Sequence, residues 1–159
     1  MDESDSVLER EIKGQGVFVS NFAHSLDPKK RLTIPSAWRA QVGTPKSLYV
    51  LPDVHHKCLV VFPAGEMTRR LEAMRQHSMA DRKARHFARV LGSQSDLVSW
   101  DNQGRIRIKD ELLRLADVTE TAALVGAFDR FEIWNPERLE AARKAEGDNI
   151  EDAARYVGF

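Results

Sequence analysis

One short turn, written twice, constrains this chain more than any other feature. Asp27-Pro28-Lys29-Lys30-Arg31 and Asp101-Asn102-Gln103-Gly104-Arg105 both read Asp-x-x-x-Arg, 74 residues apart. Asp favours the first position of a type I turn and Pro the second. β-forming residues flank both turns, over residues 17–26 and 31–34 in the first copy and 95–100 and 105–108 in the second. Each copy therefore reads as a hairpin. The likeness runs beyond the turns. At an offset of 74, Ile34 maps onto Ile108 and Trp38 onto Leu112; at an offset of 72, Leu59, Val61 and Phe62 map onto Phe131, Ile133 and Trp134. Two copies are too few for a solenoid, which needs at least about three. They suit a pseudo-two-fold domain in which each copy buries the apolar face of the other.

The other elements recur in the same order. Pro35 and Ser36 start a short helix through Arg39. Residues 47–51 and 58–62 are β-rich. Residues 63–66 open a helical stretch, with Met67, Leu71 and Met74 at helical spacing, and a second helix spans about 81–91. In the second half a short helix covers 110–115, with Asp110 as its expected N-cap. Residues 122–126 and 130–134 are β runs. A helix then spans 135–145, with Asn135 as N-cap and Pro136 at its first position. The expected organisation is an acidic tail (1–14), a first repeat (15–78), a connecting helix (79–94), a second repeat (95–148) and a C-terminal extension (149–159).

Charge is balanced overall, 24 Lys and Arg against 24 Asp and Glu, which excludes attachment to DNA or membrane by bulk charge. It is not balanced locally. Residues 26–40 carry a net +3 and residues 69–89 a net +5, offset by −3 in residues 1–25 and −4 in residues 129–152. Cys58 is the only cysteine, so no intrachain disulfide can form. The N-terminus lacks the apolar stretch of a signal peptide, and no apolar run approaches 18 residues. These features predict a cytosolic protein with no membrane contact.

A single Asp-x-x-x-Arg turn has a purely structural reading: Asp caps the turn and Arg lies on the solvent face of the next strand. The doubling brings a functional one. A pseudo-symmetric domain presents two related tips, bearing Lys29, Lys30 and Arg31 in one copy and Arg105, Arg107 and Lys109 in the other. Paired β elements carrying Arg and Lys can dock in a DNA groove. Arg binds phosphate bidentately, or reads guanine O6 and N7. The expected DNA-contacting residues are Lys29, Lys30, Arg31, Arg105 and Arg107, with Asp27, Asp101 and Gly104 shaping the turns.

These residues resemble the MraZ transcriptional regulators, within the wider AbrB-like class of swapped-hairpin DNA-binding proteins. The resemblance covers about residues 18–139. It rests on His24-Ser25-Leu26-Asp27, Lys29, Arg31-Leu32-Thr33-Ile34-Pro35, Trp38 and Arg39. In the second half it rests on Asp101, Gln103-Gly104-Arg105-Ile106, Ile108, Leu112, Val125-Gly126 and Phe131-Glu132-Ile133-Trp134. The resemblance implies a mainly β fold with helices: a swapped-hairpin β-barrel built from two tandem β-α-β-β repeats, with extra helices after each. It further implies a ring-shaped homo-oligomer that binds short direct repeats in double-stranded DNA upstream of the operon for division and cell-wall synthesis. The expected role is a sequence-specific regulator, read as a repressor, in the cytoplasm and on the nucleoid. The Asp-x-x-x-Arg faces would be the DNA-contacting surface, which carries Arg31 and Arg105 over directly. Three positions depart from the family pattern: Lys30 and Ser20 stand where Gly is usual, and Lys109 where Pro is frequent. A non-Gly residue in the left-handed conformation costs on the order of 1 kcal/mol.

Rival chemistries find less support. His55, His56 and Cys58 do not have zinc-ligand spacing and read as a polar loop entering a strand. Cys58 reads as a small buried hydrophobe rather than a nucleophile. There is no Gly-rich phosphate loop and no Ser elbow, so neither an enzyme, a cofactor, a metal nor a small-molecule substrate is expected. Trp38, Trp100 and Trp134 read as core or interface residues. Arg82, Arg85 and Arg89 share one helical face. We read it as a solvated face pairing with acidic residues such as Glu137, Glu140 and Glu146 of a neighbouring subunit, ahead of an auxiliary phosphate contact. The rival class is a ring-forming scaffold, or an antitoxin-like interaction protein, without operator-specific DNA binding.

Overall fold

The computed structural model describes residues 16–43, 45–77, 80–147 and 149–159. The expected acidic tail lies outside these residues, as do residues 78 and 79 at the expected boundary between the first repeat and the connecting helix. In chain order the elements are β1 (Asn21–Ser25), β2 (Arg31–Thr33), α1 (Ser36–Arg39), β3 (Ser47–Pro52), β4 (Leu59–Pro63), α2 (Ala64–Arg75), α3 (Arg82–Gln94), β5 (Asp96–Ser99), β6 (Arg105–Arg107), α4 (Asp110–Ala116), β7 (Thr121–Gly126), β8 (Phe131–Trp134), α5 (Pro136–Glu146) and α6 (Glu151–Val157).

Six strands form an antiparallel sheet in the order β1-β7-β8-β4-β3-β5, and β2 pairs with β6 in a separate ribbon. The hairpin expectation is corrected here. The strand after each turn does not pair with the strand before it; β1 pairs with β7, and β5 with β3. The ladders tie the halves together around counterpart residues. Leu32 lies opposite Ile106, its counterpart 74 positions on, with Arg31 opposite Arg107 and Thr33 opposite Arg105. Val60 lies opposite Glu132, its counterpart 72 positions on. The ribbon and the central β4–β8 ladder are therefore each centred on the same kind of two-fold relation.

The expected closed barrel is not formed among the described residues. The ribbon strands are three residues long and hydrogen-bond to each other rather than to the sheet edges. Pro35, two residues after β2, lacks the N–H needed to extend a ladder. The architecture is a mainly antiparallel sheet with helices on both faces.

Strand periodicity sorts side chains onto those faces. Leu48, Val50, Leu59, Val61, Leu124, Phe131 and Ile133 form the main core with Leu32, Ile34, Ile106 and Ile108 of the ribbon and its flanks. Trp38 of α1 and Leu112, Leu113 and Ala116 of α4 close the same core. The Trp38 ring lies 4.7 Å from that of Phe131, and its Nε1 donates to the Val19 carbonyl at 2.8 Å. On the opposite face Leu51, Val60 and Phe62 form a second cluster with Tyr49, Met67 of α2 and Leu91 of α3. Residues 59–62 show no alternation in sequence because β4 is buried on both faces.

Two helices, α3 and α5, start on a side-chain N-cap. Asn135 Oδ1 accepts from the Glu137 and Arg138 amides, and Asp81 Oδ1 from those of Lys83 and Ala84. The expected Asp110 cap is corrected: in α4 the N-cap is Lys109, and Asp110 sits inside the first turn. Its carboxylate is drawn outward by Arg107 and Lys30.

Candidate nucleic-acid interface

The two turns are built alike, atom for atom. Asp27 Oδ1 accepts the amides of Lys29 (3.0 Å) and Arg31 (2.7 Å), and Oδ2 accepts Arg31 Nε at 2.6 Å. Asp101 Oδ1 accepts the amides of Gln103 (2.9 Å) and Arg105 (3.0 Å), and Oδ2 accepts Arg105 Nε at 2.8 Å. The Lys30 amide donates to Asp27 O, and the Gly104 amide to Asp101 O. Each turn then needs a left-handed residue, Lys30 at φ 60° and Gly104 at φ 77°. This is a type I turn followed by a left-handed residue. The spacing in Asp-x-x-x-Arg is thus a turn requirement, and the same carboxylate fixes the arginine.

Because β2 pairs with β6, the two tips meet. Arg105 Nη1 lies 3.9 Å from Asp27 Oδ2, across the pseudo-two-fold. Leu32 and Ile106 are buried, so alternation turns Arg31, Thr33, Arg105 and Arg107 to the outer face. Arg31 uses only Nε within the described residues, leaving its terminal nitrogens free to donate. Arg107 Nη2 binds Asp110 at 2.8 Å and Nη1 donates to the Ile108 carbonyl. Lys30 Nζ reaches the same Asp110 carboxylate at 3.2 Å, and Lys29 is exposed. The five expected DNA-contacting residues therefore lie on one ribbon and its turns, against the three carboxylates Asp27, Asp101 and Asp110.

These carboxylates remain ionised well into acid. Backbone donation from Arg31 holds the Asp27 carboxyl below its ordinary value, against an opposing effect of burial. The Arg105 side chain, then its amide, lowers Asp101 to about 2. The Arg107 and Lys30 side chains lower Asp110. The tips thus keep their paired geometry at neutral pH.

Two residues that support the site are silent in the sequence motif. Arg39 Nε donates to the Ile34 carbonyl at 3.1 Å, and its guanidinium covers Gly104. Asp110 gathers Lys30 and Arg107 from opposite halves. Neither pairing has a spacing signal, since Asp110 lies 80 residues from Lys30.

The rival chemistry is placed elsewhere. Asp53 Oδ1 accepts the amides of His55 and His56, and His56 Nε2 lies 3.2 Å from Glu146. Cys58 is fully buried, and its sulfur lies near the Asp53 and Glu132 carboxylates. Burial, then Glu132 and Asp53, raises the thiol pKa far above its ordinary value, so it stays protonated at neutral pH and is a poor nucleophile. Trp38 and Trp134 are buried. No helix among the described residues is long and apolar enough to cross a membrane.

No family model matches the chain. Curated relatives match over most of its length. The protein named "Transcriptional regulator MraZ" of Pediococcus pentosaceus is 34% identical over 141 residues, spanning 89% of this chain and 96% of the relative. The protein of the same name from Finegoldia magna is 30% identical over 138 residues, spanning 87% and 94%. That from Thermomicrobium roseum is 32% identical over 137 residues, spanning 84% and 94%.

Proposed function

The chain belongs to the MraZ family of transcriptional regulators, and from that premise we propose that it regulates transcription by binding DNA through the β2–β6 ribbon. The observation that carries this reading is the joining of two identically built Asp-x-x-x-Arg tips into one arginine-bearing face. A two-stranded ribbon fits the B-DNA major groove. Arg31 and Arg105 are the main contacts, held in fixed rotamers by Asp27 and Asp101. Lys29, Lys30 and Arg107 add phosphate contacts, and Gly104 lets the second turn lie under Arg39.

A single subunit offers few base-reading groups, so specificity comes from several ribbons on successive direct repeats. We read the assembly as a ring of identical subunits, each built of two tandem repeats joined through the β2–β6 ribbon. It acts in the cytoplasm and on the nucleoid as a repressor of the operon for division and cell-wall synthesis. The test is a gel shift on the protein's own upstream region at two salt concentrations, with a scrambled-repeat control. Arg31→Ala and Arg105→Ala should each weaken binding about tenfold or more, from about 1–3 kcal/mol per base-contacting arginine. Light scattering should show an assembly size unchanged by either substitution. Equal affinity for intact and scrambled repeats, or undiminished binding by the double variant, would overturn the reading.

A further inference from the structure

We propose that the outward face of α3 is a second phosphate-binding surface, which holds a nucleic-acid duplex on the side of the sheet opposite the β2–β6 ribbon. The proposal goes beyond the ribbon reading and rests on it only for the claim that two faces exist.

Residues 64–94 carry seven Lys and Arg against Glu66, Glu72 and Asp81. Glu66 already binds Arg69 and Arg70, and Asp81 caps α3. Arg75, Arg82, Lys83, Arg85 and Arg89 have no carboxylate within ion-pair reach among the described residues. Arg82, Arg85 and Arg89 recur at i, i+3 and i+7, which sets them along one stripe of about 10 Å. The stripe faces solvent, because Ala84 and Leu91 are the partly buried positions of the helix.

The helix dipole sharpens the point. Arg82 and Lys83 sit in the first turn, where the Asp81 carboxylate at the N-cap is the acidic group present and is taken up by the Lys83 and Ala84 amides. Cations at that end oppose the dipole. Asp81 offsets the dipole itself, and the two cations keep their outward charge for an anion.

The acidic helices of a second copy are the weaker partner. Glu140 already lies 3.7 Å from Lys144, and Glu146 3.2 Å from His56. A lipid surface fits less well than nucleic acid, because Leu91 is turned inward onto the Leu51, Val60 and Phe62 cluster. Phe87 lines the same groove with Met67 and Met74. Phe87 and Val90 stay exposed on the flank of α3, beside rather than within the row of guanidiniums. Its cluster occupies the face of β3 and β4 opposite the main core, and the ribbon covers the main core. One straight duplex on the ribbon therefore does not reach α3 of the same subunit.

The experiment compares four full-length proteins: wild type, R31A/R105A, R82Q/R85Q/R89Q, and the combined variant, with unchanged circular dichroism confirming each fold. Binding of a duplex of unrelated sequence is measured from about 50 to 200 mM salt. In the R31A/R105A background, α3 should still give weak, salt-steep binding, and the combined variant should lose it at least tenfold. The log–log salt slope should fall by about 2–3, close to 0.9 per lost phosphate contact. The R82Q/R85Q/R89Q protein should keep specific binding to the upstream repeats within about threefold. If the ribbon reading alone fails, the upstream repeats gain no preference while the α3 effect on unrelated duplex persists. Undiminished unrelated-duplex binding by the combined variant would overturn the α3 proposal. So would an equal loss of specific binding by the α3 variant.

Discussion

Gly104→Ala should destabilise the protein by about 2–2.5 kcal/mol, through a side chain 65 residues away in sequence. Gly104 holds φ 77°, where a non-Gly residue costs roughly 1 kcal/mol. A Cβ there would also lie 2.6 Å from Cζ and 2.7 Å from Nε of Arg39. The guanidinium must move, and its hydrogen bond to the Ile34 carbonyl is lost, for about 1–1.5 kcal/mol more. Urea unfolding at fixed protein concentration reads the change as a lower midpoint with an unchanged slope. In an Arg39→Ala background the obstruction is gone, and the same substitution should cost only about 1 kcal/mol. An equal cost in both backgrounds would refute the steric argument. A cost below about 0.5 kcal/mol in both would also refute the backbone part.

The remaining expectations concern the other turn and the carboxylates. Lys30→Gly relieves a left-handed non-Gly residue worth roughly 1 kcal/mol and gives up an exposed ion pair worth about 0–1 kcal/mol. The urea midpoint should stay level or rise, and a marked fall would contradict the strain at Lys30. Asp27, Asp101 and Asp110 have folded values below their unfolded ones. Their contribution is therefore present in full above the unfolded carboxylate range near pH 4, and is lost as pH falls through the folded values, near 2 for Asp101. Asp101→Asn should flatten part of the decline in urea midpoint between pH 4 and 2, and an unchanged acid limb would contradict this.

What the sequence disclosed was local. The Asp-x-x-x-Arg turns are legible because each bond pattern closes within five residues, and the Asn135 cap because it closes within four. Strand partners are another matter. Residues 31–33 encode a β conformation, yet nothing local tells Leu32 to pair with Ile106 rather than with β1. Only the offset of 74 hints at it, through the symmetry of the two copies. Asp110 was legible as a helix-start residue but not as the bridge between Lys30 and Arg107, because that role exists only once the halves are joined. Phe128 takes a positive φ of 68° and forms a bridge with Phe18. Gly126 permits that approach, since a Cβ there would lie 2.7 Å from the Phe18 carbonyl oxygen. No composition signal marks the bridge. Ser20 does carry such a signal, because it holds φ 76° at a position where the family usually has Gly.

The central claim is that one face, assembled from both halves, meets DNA. Thr33 sits on that face as the last residue of β2, opposite Arg105. A photo-crosslinking residue at position 33 tests the claim most directly, with one at the exposed position of Tyr156 as control. The account predicts that position 33 crosslinks to the repeat-bearing upstream duplex, that position 156 does not, and that Arg31→Ala weakens the crosslink at subsaturating protein. A crosslink from position 156 with none from position 33 would contradict it.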